Sequence, residues 1–320
     1  MRRFWPLGLI LLTVWADLLL WQSGDAGPVG WFLSRSIPQV FLLPPLVVLI
    51  WAVVKRRWLV TGAAGLVATL QIIGPMGLCF GAPGMGPSDL RVLSYNVEGF
   101  ATTKEKPLAQ WIGKLDADVL CLQEANVHHF KAPLDFEKQL PGYHILDRGG
   151  MVLASKWPFV KTDVTLFPSH LIPFHWNVQE ASIKVKGQIV RVINVHLVPD
   201  AWQPPEWPAL PFAANIERKR RIRDEEIGEV LRRVHADAGP VIVCGDFNQH
   251  AFGPRYRRLA KDLTDTFRAT QTGFGYTLTS DYPTKRVDYV WTRGFEPIVT
   301  RPLSTNKSDH HPLLAEMRLR

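Results

Sequence analysis

Val241-Ile-Val-Cys-Gly-Asp246-Phe-Asn248 is the stretch that decides how this chain reads. Its β-branched and small apolar residues suit a strand buried on both faces, and a glycine, an acid and an amide end it. An open α/β sheet presents its chemical groups at such carboxyl ends. The pattern recurs upstream in Leu90-Arg-Val-Leu-Ser-Tyr-Asn96 and Asp118-Val-Leu-Cys-Leu-Gln-Glu124. Ser308-Asp309-His310-His311-Pro312 adds acid and imidazole just before a last apolar run. One cluster of this kind arises by chance. Four imply one shared site.

The composition splits near residue 80. The whole chain has 320 residues and a formal net charge of +8, but residues 1–80 carry only six basic and two acidic side chains. The two parts therefore each carry +4. A soluble part at +4 suits a phosphate-bearing substrate without demanding a polynucleotide. Three cysteines are too few for a disulfide framework. Cys121 and Cys244 read as inert buried thiols in strands, and Cys79 as part of a membrane-like run.

Apolar runs at 4–21, 37–54 and 58–80 each approach the roughly 20 residues that cross a bilayer as a helix. A cleaved signal peptide would explain the first run but not the next two. Nor do residues 1–80 offer the polar face that helices of a soluble domain need. Arg2-Arg3 and Lys55-Arg56-Arg57 mark the cytoplasmic ends, which predicts three spans and an extracytoplasmic remainder. Pro44-Pro45 leaves a two-span arrangement of opposite topology open. Gly81-Ala-Pro-Gly-Met-Gly-Pro-Ser88 reads as a linker. The resulting domains are a membrane anchor over 1–80, the linker over 81–88 and a soluble domain over 89–320. The expected location is the cell membrane, multi-pass, with the lipid bilayer as a partner and no protein partner indicated.

Within the soluble part, strands are expected near 90–95, 118–122, 150–155, 180–185, 189–196, 240–245, 287–292 and 312–318. Helical periodicity is clearest at 104–115 and 217–235, the latter with Glu217/Arg221 and Glu229/Arg233 at helix-neighbour spacing. So many strands in about 230 residues pack as two sheet layers with helices outside, an α/β class with mixed sheets.

Six motifs in order then give a resemblance: Ser94-Tyr-Asn96, Leu122-Gln-Glu124, Asn194-Val-His196-Leu, Gly245-Asp246-Phe-Asn248, Arg286-Val-Asp288-Tyr and Ser308-Asp309-His310-His-Pro312. Residues 89–320 resemble the endonuclease/exonuclease/phosphatase superfamily. The resemblance implies a four-layer α/β sandwich and a divalent-metal hydrolase of phosphoesters. It leaves the substrate open, because one such site serves nucleic acids, lipids and soluble phosphates.

Each position has its chemistry. Glu124 is a hard carboxylate suited to Mg²⁺, with Mn²⁺ as the alternative, and the resemblance adds Asn96 and Asp309 beside the metal. His310 is the expected general base and Asp288 the group that holds its tautomer. Asp246 and Asn248 are implied to orient water and bind the phosphate. His196 is implied to stabilise phosphate oxygens or protonate the leaving group, as in the deoxyribonuclease and sphingomyelinase branch. His311 reads as structural, and His128, His129, His144, His170, His175, His235 and His250 as surface or loop residues. The loop Val198–Phe212 is rich in Trp and Pro, and Trp202 and Trp207 are candidates for bilayer or substrate contact. Arg218-Lys-Arg-Arg-Ile-Arg223 reads as a solvated helix face rather than a nucleic-acid stripe. The expected protein is a membrane-anchored phosphodiesterase acting on lipid or nucleic acid. Its rival is a non-catalytic membrane receptor on the same fold, which chemistry-competent residue types at all six motifs disfavour.

Overall fold

The computed structural model describes residues 4–97, 111–125, 135–148, 150–166, 177–199, 211–305 and 308–320. Fourteen strands occur among them: β1 Cys79–Phe80, β2 Leu90–Asn96, β3 Val119–Gln123, β4 His144–Arg148, β5 Met151–Ser155, β6 Phe159–Leu166, β7 Asn177–Val185, β8 Gln188–His196, β9 Val241–Asp246, β10 Thr264–Asp265, β11 Thr272–Gly273, β12 Asp288–Arg293, β13 Phe295–Pro302 and β14 Leu313–Leu319. They build two six-stranded sheets, β10-β12-β9-β8-β7-β6 and β13-β14-β2-β3-β5-β4, plus a small β1-β11 pair. Both large sheets are mixed. Each has one parallel pair near its centre, β8 with β9 and β2 with β3, and antiparallel neighbours on either side.

The period of two along a strand decides the layers. On β9, Ile242 and Cys244 face the other sheet, where they meet Val92, Val119, Cys121 and Ala315. Val241 and Val243 face outward, onto Ile227, Val230 and Val234 of the long helix Phe212–His235. On the second sheet Leu93, Tyr95, Leu120 and Leu122 face outward onto Ile112, Phe136 and Leu140. Three apolar cores thus separate helix, sheet, sheet and helix. Cys121 and Cys244 are fully buried in the central core.

Ahead of this sandwich lie helices α1 Trp5–Ser23, α2 Gly27–Arg35, α3 Leu43–Val54 and α4 Trp58–Ile73. α1 is long and apolar enough to cross a membrane; α2 and Pro38–Val54 form a pair bent by 102°, and α4 has 16 residues. Length and composition therefore give one spanning helix, or two if the bent pair is one span. The second apolar run is α-helical only from Leu43, and Pro44 and Pro45 sit in its first turn, where a missing N–H costs nothing.

The third run ends as helix at Ile73, well before Phe80. Cys79, expected in the membrane-like run, instead sits buried in β1, its thiol donating to Gln271 O and Gly273 O. The presumed linker is also bound to the sandwich: Gly81 N donates to Gln271 O and Gly84 N to Ile298 O.

Candidate active site

The parallel pairs of both sheets end on the same side of the molecule, and the register there is close. His196 lies opposite Asp246, Asp246 opposite Asp288, and Asn96 opposite Gln123. The chain just beyond each strand is tied to its neighbour: Val97 N donates to Gln123 O, Leu197 N to Asp246 O and Phe247 N to Val287 O. Gly245 makes the approach of β8 and β9 possible. Its φ is 143°, and a Cβ there would fall 1.8 Å from Val195 O.

Asn96 is the hub. Its Nδ2 donates to Glu124 Oε1 and to Asp246 Oδ2, each at 3.1 Å, so an amide at the end of one sheet links carboxylates of both. Asp246 is buried and accepts further bonds from Asn248 N at 2.8 Å and Asn248 Nδ2 at 3.2 Å. Asn248 also donates to Leu197 O at 2.8 Å. His196 Nε2 stands 3.5 Å from Glu124 Oε1 and 3.7 Å from Asp246 Oδ2. On the opposite wall, His310 Nδ1 bonds Asp288 Oδ2 at 2.8 Å, and its Nε2 faces Asp246 Oδ2 at 3.8 Å and Asp309 Oδ1 at 3.9 Å. Ser308 Oγ donates to Asn96 O at 2.8 Å and accepts from His310 N, which joins the last motif to the first.

All eight core candidates therefore meet in one cluster. Trp202 and Trp207 fall outside the described residues, as do His128, His129, His170 and His175. His311 is buried beside the cluster, its main-chain N donating to Thr277 O at 2.8 Å.

Four carboxylates around two imidazoles leave an excess of negative charge. Burial, aided by Asp288, pushes the Asp246 carboxyl up to about 6 against the pull of His310 and His196. Burial alone would lower His310, but Asp288, Asp246 and Asp309 together raise it to about 10. Donor atoms of Asp246, Asp288 and His310 lie within 4.8 Å of one another, a grouping that could hold a metal ion. Asp288 Oδ1 is buried with no hydrogen-bond partner among the described residues. Glu124 remains about one-third exposed. Hard oxygen donors with uncompensated charge fit a divalent cation.

Beneath this cluster lie amides to which the motifs alone assign no role. Gln123 Nε2 donates to Asn194 Oδ1 at 2.7 Å, Asn194 Nδ2 donates to Gln179 Oε1 at 3.1 Å, and Gln179 Nε2 donates to Met151 O at 2.7 Å. This chain crosses between the sheets just below Glu124 and His196. Gln123 and Asn194 belong to the motifs Leu122-Gln-Glu124 and Asn194-Val-His196-Leu, and a polar residue in an otherwise apolar strand is their signal in the sequence. The basic stretch 218–223 differs from its reading too. Arg223 and Lys219 are buried, and only part of the stretch faces solvent. His250 is no surface group either: its Nε2 lies 2.6 Å from Ser34 O, and burial lowers it to about 4.

Comparison with known proteins identifies the family. The profile of the Endonuclease/Exonuclease/phosphatase family matches residues 93–310. The chain belongs to that family. It is thus an enzyme of a phosphoester-hydrolysing class. A UPF0294 protein of Yersinia enterocolitica is 24% identical over 268 residues, covering 76% of this chain and 88% of that protein. Among solved structures, an endonuclease/exonuclease/phosphatase of Beutenbergia cavernae superposes with a TM-score of 0.55 at 22% identity, covering 72% of each chain. A humanized TDP2 of D. rerio gives 0.57 at 17% identity, over 72% of this chain and 98% of that one. The human Nocturnin catalytic domain gives 0.54 at 17% identity, over 76% and 97%. At these identities the structures speak for the fold.

Proposed function

We propose that this family member is a membrane-anchored phosphodiesterase that cleaves a lipid-linked phosphodiester beside the bilayer. The observation that carries the reading is where the catalytic loops are fastened. The loop after Asn248 meets the apolar helices through His250 and Ser34 O. The loop before Asp288 meets them through Lys285 Nζ to Arg35 O at 2.6 Å and Gln39 Nε2 to Tyr276 Oη at 3.1 Å. Those helices expose Leu7, Leu11, Trp15, Leu18, Val47 and Ile50 to their surroundings, a large apolar surface of the kind that marks a membrane or partner contact. The far end of the Trp/Pro loop also lands there: the Phe212 ring packs edge-on against Trp31 of α2 at 5.2 Å.

In this reading Glu124, with Asn96 and Asp309 beside it, would hold Mg²⁺ or Mn²⁺. When bound, the cation supplies positive charge that stabilises the phosphate oxygens. His310, held at Nδ1 by Asp288, presents Nε2 to the attacking water and takes its proton. For that the ring must be neutral. The three carboxylates that raise it therefore have to be offset, and added cationic charge does so. Asp246 and Asn248 orient water and phosphate, and His196 faces the same carboxylates from the other wall.

A hydrolysis screen tests the proposal. The purified full chain in vesicles, with Mg²⁺ or Mn²⁺, should cleave phospholipid or sphingomyelin, and chelation should stop it. Robust cleavage of plasmid DNA or RNA with none of the lipids would replace the lipid reading with a nuclease one.

A further inference from the structure

Asp25 lies in the turn between α1 and α2, more than two hundred residues before Asn248, yet it is buried against the catalytic domain. Its carboxylate stands between two arginines: Oδ2 accepts from Arg223 Nη1 and Oδ1 from Arg255 Nη1, both at 2.9 Å. Arg223 carries the contact onward. Its other terminal nitrogen, Nη2, donates to the main-chain O of Asn248 at 2.7 Å. Asn248 has a φ of 48°, a left-handed conformation that asparagine adopts more readily than other non-glycine residues and that its surroundings hold in place. Four bonds fix it here: its N donates to Asp246 Oδ1, its Nδ2 to Asp246 Oδ2 and to Leu197 O, and its O accepts from Arg223 Nη2. The neighbouring strand exit is held from the same helix, where Glu226 accepts from Val198 N at 3.2 Å.

Asp25 sets this geometry because of charge. Arg223 and Arg255 are both nearly fully buried, and the carboxylate between them offsets two like charges that would otherwise repel in a low dielectric. Burial opposes ionisation of Asp25, but Arg223 and then Arg255 hold its carboxyl below the usual range. Loss of that charge would let the Arg223 fork turn away from Asn248.

We propose that Asp25 is a positioning residue for the candidate active centre, acting through Arg223 on Asn248, so that the N-terminal helical segment is part of the catalytic apparatus and not only a tether. The inference rests on the reading of Asp246 and Asn248 as site residues. Its test uses the full chain with saturating Mg²⁺ and a small soluble phosphodiester bearing a nitrophenolate leaving group, so that access to a bilayer plays no part. Asp25→Asn should lower kcat by about tenfold to a hundredfold, the range expected from a small misplacement of catalytic groups, and leave KM nearly unchanged. Asp17→Asn is the control, because Asp17 of α1 bonds Gln71 of α4 and does not reach Asn248; its kcat should match wild type.

Arg223→Lys keeps the buried positive charge beside Asp25 but replaces the fork, whose two terminal nitrogens meet Asp25 and Asn248 O separately, with a single ammonium, and should show the same kcat loss. Backbone hydrogen exchange at Asn248 and Gln249 reads the contact without catalysis and should quicken in both Asp25→Asn and Arg223→Lys. Unchanged kcat in folded Asp25→Asn overturns the inference, as does unchanged kcat in Arg223→Lys if the first variant does not fold. Unchanged exchange at these amides overturns it even if the wild-type chain hydrolyses nothing, an outcome that would sink the functional reading separately.

Discussion

His310 illustrates how much a neighbour decides. Its imidazole and that of His311 are adjacent in sequence, and both are buried, but only His310 touches the acids: Nδ1 bonds Asp288 and Nε2 faces Asp246. His311 Nδ1 accepts instead from Thr305 N at 3.4 Å. Removal of a positioned general base costs about 10²–10⁴ in rate. His310→Ala should therefore lose that much in kcat, and His311→Ala less than about tenfold. The pH profile adds a second reading. The base works when neutral, so kcat/KM should rise with pH through one ionisation, displaced below about 10 by the bound cation, and His310→Ala should lose that limb. A larger loss in His311→Ala, with both chains folded, would reassign the base. Glu124→Gln should raise the Mg²⁺ concentration needed for half activity without lowering the melting temperature, since its side chain is partly exposed and packs no core.

The long helix Phe212–His235 shows why part of this fold was legible and part was not. Its apolar face, Ile227, Val230 and Val234, follows the helical period and packs on β8, β9 and β12, as the sequence implied. Its charges were legible only in part. Glu217/Arg221 and Glu229/Arg233 pair at the expected spacing, whereas Arg223, Glu226 and Arg233 are buried and also reach partners far along the chain. Charge spacing along a helix is the same whether water or another element faces it, so these partners could not be read locally. The strands behave similarly. Those buried on both faces, such as β2, β3 and β9, were clear from their apolar runs. The sheet-edge strands β4, β6 and β13 were missed because they mix exposed polar residues with apolar ones.

Glu226 gives this helix a measurable signature. Burial raises its carboxyl to about 8, with the bond from Val198 and the charges of Arg223 and Arg255 pulling the other way. The folded chain thus holds this proton more tightly than the unfolded chain, whose value is 4.5. Stability from this group is full below that value and falls as pH rises toward 8. Glu226→Gln removes the titration while keeping an acceptor for Val198 N. Its melting temperature should pull ahead of wild type by on the order of 3–6 °C between pH 5 and pH 8. Parallel pH curves for the two chains would show that Glu226 is ionised in the fold.

The helices and the sandwich also set a polarity for the whole chain. The Trp5 and Trp51 rings meet at 5.2 Å, so the start of α1 lies beside the end of α3, next to Lys55-Arg56-Arg57. At the other end Trp21 packs on Phe252, Arg257 stacks over Trp21, and Gly74 lies against Phe252. The basic residues therefore occupy the end of the helical unit remote from the catalytic domain. By the rise of a helix, α1 spans about 28 Å and α4 about 24 Å, against a hydrocarbon core of ~30 Å. α4 would then cross only with local thinning of the bilayer, or with Trp58 and Arg57 reaching into the interface. If α1, the segment Pro38–Val54 that ends in α3, and α4 all cross, the positive-inside tendency places the basic end in the cytoplasm and the catalytic domain outside. A reporter enzyme that works only outside the cytoplasm, fused after Arg320, should be active in cells. A reporter that works only inside, fused at the same point, should be silent. The reverse pattern, in stably expressed fusions, would mean that an even number of helices cross, and the catalytic site would then face the cytoplasmic leaflet and its substrates.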